Sequence, residues 1–154
     1  MPRPILVSAC LLGLHTRYDG AGKGHAGVIA WLRRHQRLPV PVCPEQLAGL
    51  PTPRSRTFFH QGDGVGVLEG RAQVVSEQGE DRSAVFLRGA QETLKVARLC
   101  GCAEALLKER SPSCGVHQVY CGEEKISGMG VAAALLQRNG IAVLSEEDVE
   151  RMKT

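Results

Sequence analysis

The sequence predicts a single α/β domain in which a mostly parallel sheet is covered by helices on both faces, a Rossmann-like arrangement with an added β-hairpin. Three observations lead to this prediction. The chain has 154 residues, which suits one domain with a substantial buried core. Short apolar segments alternate with longer segments of helical periodicity, and this alternation is typical of a parallel sheet. No internal repeat, low-complexity tract or linker divides the chain, so one domain is expected over residues 1–154.

The predicted strands are short, apolar and rich in branched side chains, as expected for strands that are buried on both faces. They cover residues 5–9, 38–42, 103–107 and 141–144. The last of them follows Asn139-Gly140, a pair that is typical of the end of a helix.

The predicted helices lie between and after these strands. Residues 82–100 form the longest one, because apolar side chains recur there every three or four positions. Residues 28–37 and 131–138 form two others, and a short helix follows Ser145, which precedes three acidic residues. Residues 64–76 alternate valines around a central Glu-Gly pair, and this pattern predicts the added β-hairpin.

The charge of the chain is modest, with a formal net value of +3. Basic residues cluster at Arg33-Arg34 and at Arg54-x-Arg56 without interleaved aromatic side chains. A solvated basic face is the favoured interpretation of both clusters, and a site for an anionic ligand is the alternative. No nucleic-acid polymer is therefore expected as a partner.

The cysteines raise the question of the cellular compartment. Six cysteines would suggest disulfides in a small secreted chain. The apolar stretch before Cys10 is shorter than the ~7–15 residues of a signal sequence, and no run approaches the ~20 apolar residues of a membrane-spanning helix. We therefore expect a cytoplasmic protein with no membrane partner, in which a cysteine cluster favours metal binding or catalysis over disulfides.

Three of the cysteines follow predicted strands. Cys10 comes directly after the first strand, Cys43 directly after the second, and Cys114 lies in a loop beyond the third. The carboxyl ends of parallel strands share one edge of a sheet, so these side chains are expected to converge there. The alternative is that they are small buried residues of the core. The remaining three are interpreted as structural or incidental: Cys100, Cys102 and Cys121.

The kind of metal follows from the ligands. Three thiolates are soft and suit zinc, copper(I) or an iron–sulfur cluster. A structural zinc site usually has four ligands, often with a Cys-x-x-Cys pair, and the sequence contains no such pair. Three widely separated cysteines fit a [4Fe–4S] cluster in which one iron has no protein ligand. Such an iron is a Lewis acid, which favours catalysis or sensing over electron transfer.

A series of motifs runs along nearly the whole chain. Two of them are Pro41-Val42-Cys43-Pro44-Glu45-Gln46-Leu47 and Lys108-Glu109-Arg110-Ser111-Pro112-Ser113-Cys114-Gly115. Others lie at residues 5–13, 17–20, 49–54, 86–90, 128–131 and 138–141. In this order they resemble the thiouracil desulfidase family. The chain departs from the family pattern at Asp81-Arg82-Ser83, where an Asp-Val-Thr-like start of the long helix is expected.

The resemblance implies a non-redox desulfuration of thiolated uracil, in which thiouracil and water give uracil and hydrosulfide. It implies an oxygen-sensitive [4Fe–4S] cluster whose fourth iron binds the substrate sulfur, held by Cys10, Cys43 and Cys114. Glu45 would act as the general base on the attacking water, and Ser111 would hydrogen-bond or protonate the ring as charge develops.

Each of these assignments has a plainer alternative. Glu45 follows a proline and suits the start of a helix, and Ser111 suits a turn in which a serine bonds its own backbone. Ser113 competes with Ser111 for the catalytic role. Ser113, Tyr18 and Lys108 are weaker candidates for substrate binding, because ordinary loop packing or ion pairing explains them equally well.

The expected partners are a small-molecule thiolated pyrimidine and the machinery that assembles iron–sulfur clusters. The sequence leaves open whether the substrate is a base, a nucleoside or a nucleotide. Two other functional classes compete: a non-enzymatic iron–sulfur redox or oxygen sensor, and a zinc or thiol hydrolase without a cluster. A sensor needs no base or proton donor beside its cluster, so Glu45 and Ser111 favour the enzyme.

Overall fold

The computed structural model describes residues 2–22 and 24–152. The strands, in chain order, are β1 (Arg3–Ser8), β2 (Arg37–Val42), β3 (Thr57–His60), β4 (Gln73–Ser76), β5 (Glu104–Leu107), β6 (Gln118–Cys121), β7 (Glu124–Ser127) and β8 (Ala142–Ser145). The α-helices are α1 (Ala26–Arg34), α2 (Pro44–Leu47), α3 (Gly64–Leu68), α4 (Ser83–Cys100), α5 (Val131–Arg138) and α6 (Glu146–Met152). A short 3₁₀ helix, Ala9–Leu12, follows β1. Within the described ranges, no helix is both long and apolar enough to cross a membrane.

The first sheet is fully parallel, with the strand order β2-β1-β5-β8. It confirms all four predicted strands, whose ends shift by one or two residues. Ile5, Leu6 and Val7 of the central strand β1 are completely buried, because helices cover both faces of this sheet. The uninterrupted apolar runs that predicted these strands therefore reflect burial on two sides.

The two faces of the parallel sheet pack against different helices. Helices α1 and α6 cover one face through Val28, Leu32 and Val149. The second half of α4 and most of α5 cover the other face, as in the contacts of Leu94 and Leu136 with the sheet. The predicted helices are confirmed, although α1 ends three residues earlier than expected because β2 already begins at Arg37.

A second sheet, with the order β4-β3-β6-β7, was not predicted. Strands β3 and β6 are parallel, and the outer pairs are antiparallel. The second sheet packs on the first half of α4, where Phe59, Val74 and Val119 meet Phe86 and Ala90. Helix α4 thus joins two cores, one under each sheet.

The predicted β-hairpin over residues 64–76 is wrong. Its first half is helix α3, which Asp63 caps by accepting a hydrogen bond from the Gly66 N–H at 3.2 Å. Its second half is β4, which pairs antiparallel with β3 and not with residues 64–68. Gly64 packs so closely on the backbone of Gly130 that a Cβ would not fit. An aspartate before a short apolar run is a helix-start signal, and this signal outweighed the alternating valines.

Candidate active site

A cavity of about 610 Å³ opens at the carboxyl edge of the parallel sheet, and Cys10, Cys43 and Cys114 all lie in its wall. We call it the thiol cavity. Cys10 sits in the 3₁₀ helix after β1, Cys43 is the N-cap of α2 directly after β2, and Cys114 lies in a turn after β5. Because these three strands are parallel neighbours, their ends bring the side chains together. All six cysteines are free, and the wall does not include Cys100, Cys102 or Cys121.

Burial raises the pKa of all three thiols. Burial and then the neighbouring Glu45 carboxylate raise the pKa of Cys43 to about 11. Burial also raises the pKa of Cys114 well above its usual range, and that of Cys10 despite the opposing charge of Lys108. Thiols of this kind are poor free nucleophiles, whereas a soft metal can displace their protons. The raised pKa values therefore argue against a free thiol nucleophile at this site.

Ser8 also lines the thiol cavity, and the sequence analysis did not predict it. Its hydroxyl accepts a hydrogen bond from the Lys108 N–H at 2.9 Å, which ties the end of β1 to the end of β5. The same hydroxyl hydrogen-bonds to Cys114, and this contact lowers the pKa of the thiol against the effect of burial. The position of Ser8, at the last residue of a buried strand and two before Cys10, was the available signal.

Glu45 is directed into the thiol cavity from the first turn of α2. One of its carboxylate oxygens, Oε2, lies 3.4 Å from the Cys43 Sγ and 3.7 Å from the Arg54 guanidinium. The Glu45 side chain is only 11% exposed, so its charge is poorly solvated and depends on Arg54. The structure thus brings the predicted base together with a predicted ligand.

Arg54 is the centre of a hydrogen-bond network between loops. Its guanidinium donates to the backbone carbonyls of Thr16 at 2.9 Å and Pro51 at 3.2 Å, and to the Thr52 hydroxyl at 2.9 Å. It also lies 3.9 Å from the Cys43 Sγ. The side chain is 10% exposed, so the interpretation of this basic cluster as a solvated face is wrong for Arg54. The exposed pair Arg33-Arg34 does fit that interpretation.

Ser111 and Ser113 differ in their access to the thiol cavity. Ser111 lies in the wall, and its Oγ accepts hydrogen bonds from the backbone N–H groups of Ser113 and Cys114, both at 3.1 Å. This is the turn-serine arrangement, and it leaves the hydroxyl proton available to a substrate. Ser113 is 1% exposed and does not line the cavity. The geometry therefore favours Ser111 over Ser113.

The two weaker substrate-binding candidates, Tyr18 and Lys108, also line the thiol cavity. Tyr18 is 40% exposed, and its carbonyl accepts a hydrogen bond from the Arg54 N–H at 2.7 Å. The ammonium group of Lys108 is paired with Glu146 at 2.9 Å, so much of its charge is already neutralised. Their positions are compatible with substrate contact, and ion pairing accounts for Lys108 without a substrate.

Residues of the second sheet also line the thiol cavity. Ser76 of β4, Tyr120 of β6 and Arg56, which directly precedes β3, line the thiol cavity. The Arg56 guanidinium stacks 5.1 Å from the centre of the Tyr120 ring. Sequence reasoning missed this part of the cavity wall because it did not predict the second sheet.

No group of three or more His, Cys, Asp or Glu side chains in the described part of the chain is arranged to hold a single metal ion.

Fold and site together define an α/β protein with a three-thiol cavity at the carboxyl edge of its parallel sheet. A family model described as 2-thiouracil desulfurase matches residues 5–148. The chain belongs to this family. It is 38% identical over 148 residues to an uncharacterized protein, YbbK, of Bacillus subtilis (strain 168), covering 94% of this chain and 97% of that one. It is also similar to a solved structure of the [4Fe-4S]-dependent thiouracil desulfidase TudS, with a TM-score of 0.82, 40% identity, and coverage of 98% of this chain and 95% of that one.

Proposed function

We propose that this protein desulfurates thiolated uracil without net redox chemistry, converting thiouracil and water into uracil and hydrosulfide with the aid of a [4Fe–4S] cluster. One observation carries the proposal: a carboxylate, a serine hydroxyl and three free thiols line the same cavity in a chain of the 2-thiouracil desulfurase family. The similarity to TudS, whose name states its dependence on a [4Fe-4S] cluster, supports the choice of cofactor.

The donor set of the thiol cavity fits such a cluster. Cys10, Cys43 and Cys114 are soft donors on separate strand ends, and their raised pKa values mean that iron would replace bound protons. When bound through three cysteines, the cluster supplies one iron without a protein ligand, a Lewis acid with affinity for a thiocarbonyl sulfur.

The protein's own residues supply the proton transfers. Glu45 is held beside Cys43 by the charge of Arg54, in a position to accept a proton from a water that attacks the thiocarbonyl carbon. Ser111 keeps its hydroxyl proton free while its oxygen is fixed by two backbone N–H groups. A hydroxyl fixed in this way stabilises charge that develops on the ring as the C–S bond breaks.

The size of the thiol cavity supports a small-molecule substrate. Its volume of about 610 Å³ lies within the ~300–1,000 Å³ that is usual for ligand pockets. The candidates for contact with the rest of the substrate line the same cavity as the thiols: Tyr18, Lys108, Arg56 and Tyr120. A thiolated pyrimidine is the expected ligand class, as base, nucleoside or nucleotide.

We also propose that the protein works in the cytoplasm, receives its cluster from an assembly machinery and loses activity in oxygen. Six unpaired cysteines in one small domain support a reducing compartment. An iron without a protein ligand is exposed to oxidants, which supports the sensitivity to oxygen.

The experiment is anaerobic reconstitution with iron and sulfide, followed by incubation with 2-thiouracil and 4-thiouracil. Uracil and hydrosulfide should form in equal amounts. The Glu45→Gln variant should keep its cluster but turn over about 10²–10⁴-fold more slowly, because general-base catalysis is lost. Glu69→Gln, which alters an exposed carboxylate outside the thiol cavity, is the matched control and should behave as wild type. A cluster-loaded protein that converts neither compound would contradict the proposed activity and favour a sensor.

A further inference from the structure

Glu109 is a buried carboxylate that the proposed chemistry does not use. It is the second residue after the end of β5, next to Lys108, and it is only 2% exposed. Its Oε1 accepts hydrogen bonds from three consecutive backbone N–H groups, at 2.8 Å from Val116, 2.8 Å from His117 and 3.0 Å from Gln118. Buried carboxylates are rare unless hydrogen bonds or a cation stabilise their charge. Here the three backbone N–H groups stabilise the charge of the Glu109 carboxylate.

We propose that Glu109 is a positioning residue: it closes the loop of residues 110–117 and thereby fixes Ser111 and Cys114 in the thiol cavity. The inference rests on the proposed function for the roles of Ser111 and Cys114. The closure itself is a property of this chain alone. Glu109 stands at the beginning of the loop and binds the backbone at its end, so the two ends cannot separate without breaking these bonds.

The loop needs such support because its own backbone is irregular. Arg110 has a φ of 67°, a left-handed conformation that a residue with a side chain rarely adopts without tertiary support. Within the loop, the Gly115 N–H donates to the Ser111 carbonyl at 2.9 Å, and no helix or strand covers residues 110–117. The start of α5 also holds the loop, because backbone N–H groups of residues 130, 131 and 133 donate to the carbonyls of Gly115, Pro112 and Ser113 at 2.8, 2.8 and 3.0 Å. The bonds to Glu109 add to these contacts at the far end of the loop, next to an isolated bridge between Arg110 and Val119.

Further contacts position Glu109 itself. Its backbone N–H donates to Glu146 Oε1 at 2.7 Å, which anchors it to the start of α6. Burial alone would raise the pKa of Glu109, but the three backbone N–H bonds outweigh it and hold the pKa below its usual range. Its other oxygen, Oε2, is buried and has no hydrogen-bond partner of normal geometry among the described residues, while the nearby Ser145 hydroxyl stabilises the charge more weakly. One oxygen of the carboxylate thus binds the loop, and Glu109 is itself one of the residues that line the thiol cavity.

The test compares Glu109→Gln and Glu109→Leu with wild type by amide hydrogen exchange in the reduced protein without metal. Glutamine keeps an acceptor but removes the charge, and leucine removes the acceptor at similar size. Exchange at residues 116–118 should accelerate at least about tenfold in Glu109→Leu and by a smaller factor in Glu109→Gln, because a bond to a charged acceptor is stronger than one to a neutral acceptor. Amides of α1, on the opposite face of the sheet, should exchange at the wild-type rate. Glu69→Gln is again the control.

A second readout links the loop to the site. In reconstituted Glu109→Gln, a chelator should strip iron several-fold faster than from wild type, and kcat should fall about tenfold or more with little change in KM, because the reacting groups are misplaced while substrate contacts remain. If Glu109→Leu does not fold, Glu109→Gln decides. Unchanged exchange at residues 116–118 in the folded variants would overturn the proposal. A wild-type protein without desulfidase activity would count against the proposed function only, since exchange is measured without substrate or cluster.

Discussion

The two sheets of this protein contribute differently to the thiol cavity. The parallel sheet ends in the three cysteines, and its loops carry Glu45 and Ser111. The second sheet and the segment before it contribute Tyr120 and Arg56 to the same cavity, and none of the three thiols. The proposed function therefore assigns the chemistry to the edge of the parallel sheet, and to the second sheet the shape of the space for the ligand. Substitutions on the first side should therefore change turnover or cluster binding, and those on the second should change KM.

Arg54, in the loop between α2 and β3, lies where the two regions meet, and its loss should have the largest effect. Arg54→Met leaves the Glu45 carboxylate buried without its cation and frees the carbonyls of Thr16 and Pro51. We expect the free energy of unfolding to fall by about 2–4 kcal/mol, as measured by chemical denaturation. Turnover should fall about a thousandfold, because base and ligand are both displaced.

The control for this prediction is Arg71→Met, which removes an exposed ion pair with Glu69. Its effect on the free energy of unfolding should stay below about 1 kcal/mol. Equal stability and turnover in Arg54→Met and wild type would show that the two regions do not depend on this network.

A substitution at Ser111 tests the parallel-sheet side of the thiol cavity alone. Ser111→Ala removes the hydroxyl proton and the acceptor for the N–H groups of Ser113 and Cys114. We expect kcat to fall about a hundredfold with a small change in KM, measured by steady-state release of hydrosulfide. Ser113→Ala, at a buried position outside the cavity wall, should affect kcat much less. The reverse order of effects would assign the catalytic role to Ser113.

Arg56 tests the second-sheet side and should give the smallest effect. Arg56→Gln removes the guanidinium stacked on Tyr120 but leaves the three thiols in place. We expect KM to rise by about three- to tenfold with kcat nearly unchanged, since a contact that serves substrate and transition state equally affects KM alone. A large loss of kcat with unchanged KM would mean that the second sheet takes part in the chemistry.

The parallel sheet was predictable from the sequence because its strands are buried on both faces and read as continuous apolar runs. The second sheet was not, because its central pair joins β3 to β6, about 60 positions away in the chain, and no local pattern reveals such a partner. The valines of residues 64–76 suggested a hairpin, whereas the cap at Asp63 and the close approach of Gly64 to Gly130 produce a helix.

The residues of the candidate site also fall into two groups, those that the sequence predicted and those that only the structure showed. The convergence of the three cysteines followed from strand ends, which are visible in the sequence. The resemblance to a family supplied Glu45 and Ser111. Arg54 and Glu109 act through burial and through hydrogen bonds to backbone from other loops, so their roles became visible only in the folded chain. Spacing along the sequence cannot show which charged side chain is enclosed.

The most direct test of the cysteine assignment is the iron and acid-labile sulfide content per chain after anaerobic reconstitution. Two matched triple-alanine variants are compared with wild type, one at Cys10, Cys43 and Cys114, the other at Cys100, Cys102 and Cys121. Wild type and the second variant should each bind about four irons and four sulfides, as one [4Fe–4S] cluster requires, and the first variant should bind almost none. Equal loss of iron in both variants, or a full cluster in the first, would contradict the assignment of the cluster to the thiol cavity.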